Sequence, residues 1–502
     1  MRRGVCVTVF FVLFSKTRTC RVTAENNMKE GKSSPVRLHD NTMDKKTMME
    51  NMAREAYERG VFNGLWLYAE NGEIVSKGAY GFRDTEDKLP MQEDSIFQLA
   101  SITKPFTAVA IMLLIRDGRL CLEDKITKFF PELTAYKDVT IRHLLTHTGG
   151  IPDVDDSTWL TELWQEEKRI PSNSIVLRYL TDSGEDPCFA PGEEFGYSNT
   201  GYCLLAEIVE RVSGEAFEVF MKQNIFEPAG MKDTGIFHIR RDGAPSDRFV
   251  RNLVLEDGKY ILPGDSRSIE NYFEVAEDGL NGCDFAFTTI LDMLAWDRAL
   301  REETVLTREE QRLMFTPGKL NNGEDIVYDD DDAEESYGFG WAIADDEDLG
   351  LIVSHSGGMP GLGTWFERGV DTDRAFIFAN TREYEDIRAY WSFAEGMIAV
   401  SRGQEPEPIV SIEDLTVKNP DKSRWESWCG KYEHPEDHDF AIDEVFLKDG
   451  ELWAHAFDEE RGELTFRLYP IGENTFGRKG GYLELKFDDG CLMFDDFTCK
   501  KL

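Results

Sequence analysis

Positive charge is scarce in this sequence of 502 residues: 56 Lys and Arg stand against 95 Asp and Glu, a formal charge of −39. Each phosphate contact needs a cationic side chain, and the summed field opposes approach to polyanions, so nucleic acids and anionic membrane surfaces are excluded as partners. Long apolar runs are also lacking. The stretch Gly4 to Phe14, behind Arg2-Arg3, is too short to span a bilayer, and no stable membrane insertion is expected. The nine cysteines, at 6, 20, 121, 188, 203, 283, 429, 491 and 499, form no C-x-x-C pair, which removes zinc ribbons and dithiol redox motifs. There is no G-x-S-x-G elbow either, so an ordinary α/β-hydrolase nucleophile is missing. His143 and His147 stand four apart without the intervening Glu or a third ligand, so neither a metal nor another cofactor is expected. What is present is apolar content: 41% hydrophobic and 12% aromatic residues suit a folded protein of two or three domains and not a disordered acidic chain.

The run Gly4 to Phe14 fits the h-region of a secretory signal peptide over residues 1–24, with a small-residue stop near Thr23-Ala24. This predicts a secreted or extracytoplasmic protein; the alternative is a cytoplasmic one whose first forty residues are a poorly ordered leader. Residues 25–49 read as leader, with a helix over Asp44 to Glu58, and residues 50–402 as one large catalytic domain. A Pro- and charge-rich linker follows over 403–423. Residues 424–502 carry short alternating runs broken by Asp449-Gly450 and Asp489-Gly490, which predict a small antiparallel barrel. In an exported chain Cys429 could pair with Cys491 or Cys499, a connectivity that sequence does not fix. The acidic run Asp329 to Asp332 lacks the spacing of a calcium loop and reads as solvated.

Ser101-Ile102-Thr103-Lys104 precedes an amphipathic run from Thr107 to Arg116 that stops at Asp117-Gly118. Ser101 therefore stands at a helix N-terminus, Pro105 falls in the first turn, and Lys104 lies one turn on, within reach of the Ser101 hydroxyl. A serine needs an adjacent base to become a nucleophile, and a desolvated Lys serves when its pKa falls. Alone, the spacing is equally that of a capping Ser beside a solvated Lys. A turn-rich stretch then presents Tyr197 and Asn199 before the helical run Leu204 to Arg211. Tyr197 suits a proton relay and Asn199 a substrate carbonyl; packing and capping are their ordinary alternatives. Lastly, His355-Ser356-Gly357-Gly358 follows the strand-like run Gly350 to Val353. Its small residues let a substrate approach a sheet edge, and the Gly358 N–H with that of Ser101 would form an oxyanion hole. A rival copy, His147-Thr148-Gly149-Gly150, reads as a helix end closed by glycines.

In this order, Ser101-x-x-Lys104, Tyr197-x-Asn199 and His355-Ser356-Gly357 resemble the motifs of the serine β-lactamase-related hydrolases, which include class C β-lactamases, DD-peptidases, D-aminopeptidases and esterases. The resemblance extends to His143 through Ile151, Ile225 through Met231, Asp278-Gly279-Leu280 with Thr289 to Trp296, and Tyr337 through Trp341, and so covers about residues 50 to 400. It implies an α+β fold, with an antiparallel sheet flanked by helices, an all-helical subdomain beside it and the active site between. It also implies Ser101 as the acylated nucleophile, Lys104 with Tyr197 as the base system, and Asn199 on the substrate amide. His355 takes the place of a Lys found in many β-lactamases. The C-terminal part, from Trp428-Cys429-Gly430-Lys431-Tyr432 onward, resembles the small lipocalin-like barrels that follow some members. A mostly neutral His in place of a cation suits a penicillin carboxylate poorly, so an esterase or peptidase acting on small molecules or short peptides is expected, with weak or no β-lactamase activity. The competing reading is a silent binding or scaffolding protein of the same fold, which the intact Ser101, Lys104 and Tyr197 disfavour.

Overall fold

A computed structural model describes residues 44–502 apart from 85–87, 155–158, 160–169, 171, 184, 257, 267–277, 329–334, 435–439, 459–461, 489 and 495–496. The proposed signal segment, most of the leader and the acidic run from Asp329 lie outside the described residues. The expected first helix, α1, spans Lys45–Glu58, and Asp44 caps it by accepting the Thr47 N–H. The chain then enters a seven-stranded antiparallel sheet through β1 (Gly64–Glu70) and β2 (Glu73–Tyr80). It leaves to build a helical region containing α2 (Thr103–Arg116), α3 (Ile141–Leu145) and α4 (Asn199–Ser213). After α5 (Ile290–Arg301) it returns as β3 (Glu335–Tyr337), β4 (Ala342–Asp346), β5 (Gly350–Met359), β6 (Leu362–Gly369) and β7 (Arg374–Asn380), and α6 (Ile387–Ser401) closes the domain. The strand order is β3-β4-β5-β6-β7-β1-β2.

Both sheet faces are covered, and the pleat of β1 shows why. Leu65, Leu67 and Ala69 point to the helical side and join Ile377, Phe366 and Val353 in the core shared with α2, α4 and α5. Trp66 and Tyr68 point the other way, into a second core with α1 and α6. Alternation with apolar residues at every position is what a strand buried on both faces requires. Between the layers, Glu367 of β6 is buried and receives hydrogen bonds from Arg374 of β7 and Arg402 just beyond α6. The two guanidinium groups outweigh burial and hold its carboxyl down to about 2.

The C-terminal part differs from expectation. Its strands form a four-stranded sheet (from Gly430–Lys431 to Gly462–Arg467) and a five-stranded one (from Tyr469–Pro470 to Phe497–Lys500), and no closed barrel forms among the described residues. The chain passes between the sheets at Leu468, beside Pro470, whose ring nitrogen has no hydrogen to offer a ladder. The predicted hairpin about Asp449-Gly450 is present, joining Phe440–Lys448 to Glu451–Asp458. Cys429, Cys491 and Cys499 are free thiols. The segment read as a bare linker contains a helical turn, Ile412–Leu415, with Ile412 fully buried and Asp414 paired to Arg59 of the main domain.

Candidate active site

Ser101 sits in a turn of 3-10 helix, Ala100–Ile102, that runs straight into α2. Ala100, the residue before it, has φ of 49°, a left-handed conformation that a residue with a side chain adopts only when its surroundings enforce it. The enforcement is visible: the Leu99 N–H donates to Ala286 O, and Thr364 of β6 donates through its hydroxyl to Leu99 O. Lys104, one turn on, is wholly buried, and its Nζ donates to Ser101 Oγ at 2.8 Å and to Cys283 O at 3.2 Å. The rings of Tyr197 and Tyr202 face that ammonium, with centroids 4.8 and 5.8 Å away. The expected Ser–Lys pairing is therefore formed, and in a site dry enough for each hydrogen bond to be strong.

Tyr197 reaches the same place from the loop before α4. Burial pushes its phenol well above the ordinary value, so it stands protonated, and it lies within hydrogen-bonding reach of Ser101. Beneath it lies His147, ring centroids 4.2 Å apart. His147 has φ of 56° at the end of α3, as a helix closure would, yet its role extends further. Its Nδ1 accepts the Ser198 N–H at 3.0 Å, which leaves the hydrogen on Nε2, 3.3 Å from Tyr337 Oη. Tyr337 in turn donates to His355 Nε2 at 3.0 Å, and His355 Nδ1 donates to Ser356 O at 2.6 Å. The chain of bonds fixes both tautomers. Burial, then the Lys104 ammonium, lowers His355 to about 3, so it is neutral with both ring nitrogens engaged.

The remaining expected residues fare differently. β5 is an inner strand, but β4 pairs with it only as far as Ser354, so residues 355–359 form an open margin on that side. Gly357 there lies against the nucleophile turn. A Cβ on it would stand 2.3 Å from Leu99 O and from Thr364 Oγ1. The space that its missing side chain leaves is filled by the protein's own turn. Ser356 lies on the other face of the strand. Strand alternation turns its side chain away from Ser101, toward the face where its cross-strand neighbour Trp365 packs on the second core, and its carbonyl serves His355 instead. Gly358 follows on the open margin, paired with Gly363 of β6. Asn199 opens α4 with its N–H bonded to the Asp153 carboxylate, and Ser198 is the cap. His143 bonds Thr140 as part of a capping box.

Two participants lie outside the three motifs. Tyr337 belongs to Tyr337-Gly338-Phe339-Gly340-Trp341, and nothing in its spacing announces the two histidines it joins. Asp284 follows Asp278-Gly279-Leu280 closely but belongs to no motif of fixed spacing. It is 3% exposed, and the Ser101 hydroxyl donates to its Oδ1 at 3.4 Å. Burial raises its carboxyl, with the Lys104 ammonium opposing.

A buried serine held by a lysine one helical turn on, beside a protonated tyrosine and between a helical region and an antiparallel sheet, defines a β-lactamase-related serine hydrolase. The chain belongs to the Beta-lactamase family, whose model matches residues 48–393. It is 31% identical over 455 residues to "Penicillin-binding protein 4*" of Bacillus subtilis (strain 168), covering 89% of this chain and 94% of that one. It is 34% identical over 193 residues to "Esterase EstB" of Burkholderia gladioli, covering 36% of this chain and 48% of the relative. Among solved structures it resembles the octameric penicillin-binding protein homologue from Pyrococcus abyssi, with a TM-score of 0.61 at 22% identity, covering 91% of this chain and all of that one.

Proposed function

We propose that Ser101 is the acylated nucleophile, Lys104 with Tyr197 its base system, and the site one for esters or for amide bonds in small molecules and short peptides, including D-amino-acid peptides. The observation that carries this is the 2.8 Å contact between Lys104 Nζ and Ser101 Oγ, both almost wholly buried. Ser101 attacks the carbonyl and its proton passes to the base system. The backbone N–H groups of Ser101 and Gly358 hold the developing oxyanion, and Asn199 steadies the substrate amide. Tyr197, protonated, is placed to hand a proton to the leaving group. Water then releases the acid from the acyl-enzyme.

Selectivity follows from His355. A β-lactam antibiotic carries a carboxylate that a cation at this position would hold, but His355 is neutral and spends both ring nitrogens on Tyr337 and Ser356. A missing charged hydrogen bond is worth about 1.5–3 kcal/mol, or roughly ten- to a hundredfold in kcat/KM. The test compares kcat/KM for a short nitrophenyl ester, a D-amino-acid anilide and a cephalosporin. The expected order places the cephalosporin at least about tenfold below the better of the other two; cephalosporin turnover matching it would overturn the assignment.

A further inference from the structure

The Ser101 hydroxyl has two neighbours of opposite character. Lys104 donates to its oxygen at 2.8 Å, and the hydroxyl donates onward to Asp284 Oδ1 at 3.4 Å. A lysine that donates as an ammonium has no lone pair, so in that state it cannot accept the serine's proton. Asp284 is the acceptor on the other side. Among the described residues no Lys, Arg or His side chain makes an ion pair with it, and an ionised carboxylate so buried is costly.

Its position is built. Phe285, next in the chain, has φ of 71° although fully buried, a conformation that the surroundings must impose. The segment carrying Asp284 is stitched to the nucleophile turn by four bonds: Lys104 Nζ to Cys283 O, Thr107 Oγ1 to Gly282 O, Leu99 N–H to Ala286 O, and Ala286 N–H to Thr103 Oγ1.

We propose that Asp284 is a catalytic residue: it takes up the Ser101 proton while Lys104 passes one of its own to Ser101 Oγ, so that Lys104 meets the substrate as a free amine. The inference rests on Ser101 being the nucleophile. The charges of Lys104 and Asp284 cancel in one relay, with no change in net charge, and a dry site favours the neutral pair. As Ser101 Oγ bonds the carbonyl carbon, its proton moves to Lys104 Nζ and the carbonyl π pair moves onto oxygen. Collapse breaks the bond to the leaving group, which takes that proton by way of Tyr197. Water then attacks the acyl carbon and gives a proton to Lys104, which returns it to Ser101 Oγ as that bond breaks. Bond by bond, an ester and water become an acid and an alcohol.

The groups facing Asp284 are Ser101 and Lys104 from the start of α2, Cys283 on its own segment, Tyr197 from the loop before α4, and more distantly Asp153. Burial raises the Asp284 carboxyl and so makes it the better proton acceptor, with Lys104 acting against this. His147 and His355 also act on Lys104 but are neutral.

The test is Asp284→Asn in the full chain, followed by burst-phase acylation with a nitrophenyl ester across pH. Without the internal acceptor, Lys104 must lose its proton to solvent. The acylation rate near neutral pH is expected to fall about 100-fold, the acid limb of kcat/KM to move to higher pH, and the rate to recover as pH rises. An acylation rate within about threefold of the parent, with an unmoved acid limb, would overturn the proposal. Should the Asn variant not fold, Asp284→Glu decides: with the carboxylate kept, the acid limb stays where the parent has it, and a displaced limb counts against the relay. Mapping the acyl group in the parent protein separates the two readings, because an adduct elsewhere than Ser101 refutes the nucleophile whatever Asp284 does.

Discussion

At the scale of single residues, the most consequential feature is a histidine kept neutral. His355 would carry about half a charge near its ordinary pKa of 6.5 in the unfolded chain, whereas in the folded one it is lowered to about 3 by burial and then by Lys104. The folded state therefore binds this proton less tightly than the unfolded state. Its share of stability is complete above about pH 6.5 and is lost as pH falls from there toward 3, at about 1.4 kcal/mol per pH unit. Replacing His355 by Asn should make the fall of unfolding free energy between pH 6 and pH 4 shallower by about that slope, measured by denaturant titration at each pH. An unchanged slope would mean that His355 titrates normally in the fold. His147, also lowered by burial and then by Lys104, adds to the same limb. Of this cluster the sequence made Ser101, Lys104, Tyr197 and His355 legible, since each sits in a motif of fixed spacing. Asp284 and Tyr337 were not legible as partners, because the contacts joining them to Ser101 and to the two histidines span many residues and belong to the packed fold.

At the scale of elements, the decisive contact is between β5 and the nucleophile turn. Gly357 allows the Leu99 carbonyl to lie where a side chain would otherwise be, and the turn is then pinned by Thr364 from β6. Gly357→Ala is expected to displace the turn. A shift of about 1 Å at the nucleophile costs roughly 100-fold in kcat. Gly480→Ala, where nothing lies within 4 Å of the added methyl, serves as the matched control and should keep full activity in the same assay. Equal activities of the two variants would show that the strand does not position Ser101. The stop of α2 at Asp117-Gly118 was readable in advance from chemistry, and the helix expected over Asp44 to Glu58 is present with Asp44 as its cap instead of its first residue. The start of α2 was legible as well: Ser101 was expected at a helix N-terminus with Pro105 in the first turn, and the helix begins at Thr103, directly after the Ser101 turn. The reach of β5 to Met359 was hidden, because Ser and Gly are poor strand formers and only pairing with β6 extends the strand through them.

At the scale of the whole molecule, composition excluded more than it identified. A charge of −39 spoke against polyanionic partners, while the order of three motifs along some 250 residues carried the family assignment that the matched region then supported. The C-terminal strands were legible as hairpins, but not as two sheets instead of a barrel, since closure depends on how strand ends meet and not on alternation within any strand. The central claim is that one residue of this large chain, Ser101, becomes covalently acylated. Intact-protein mass spectrometry after incubation with a fluorophosphonate and with a short nitrophenyl ester, followed by peptide mapping, tests it most directly. The account predicts a single adduct on Ser101 that is absent from Ser101→Ala. Properly folded protein that takes up no adduct, or takes it up on another residue, would contradict it.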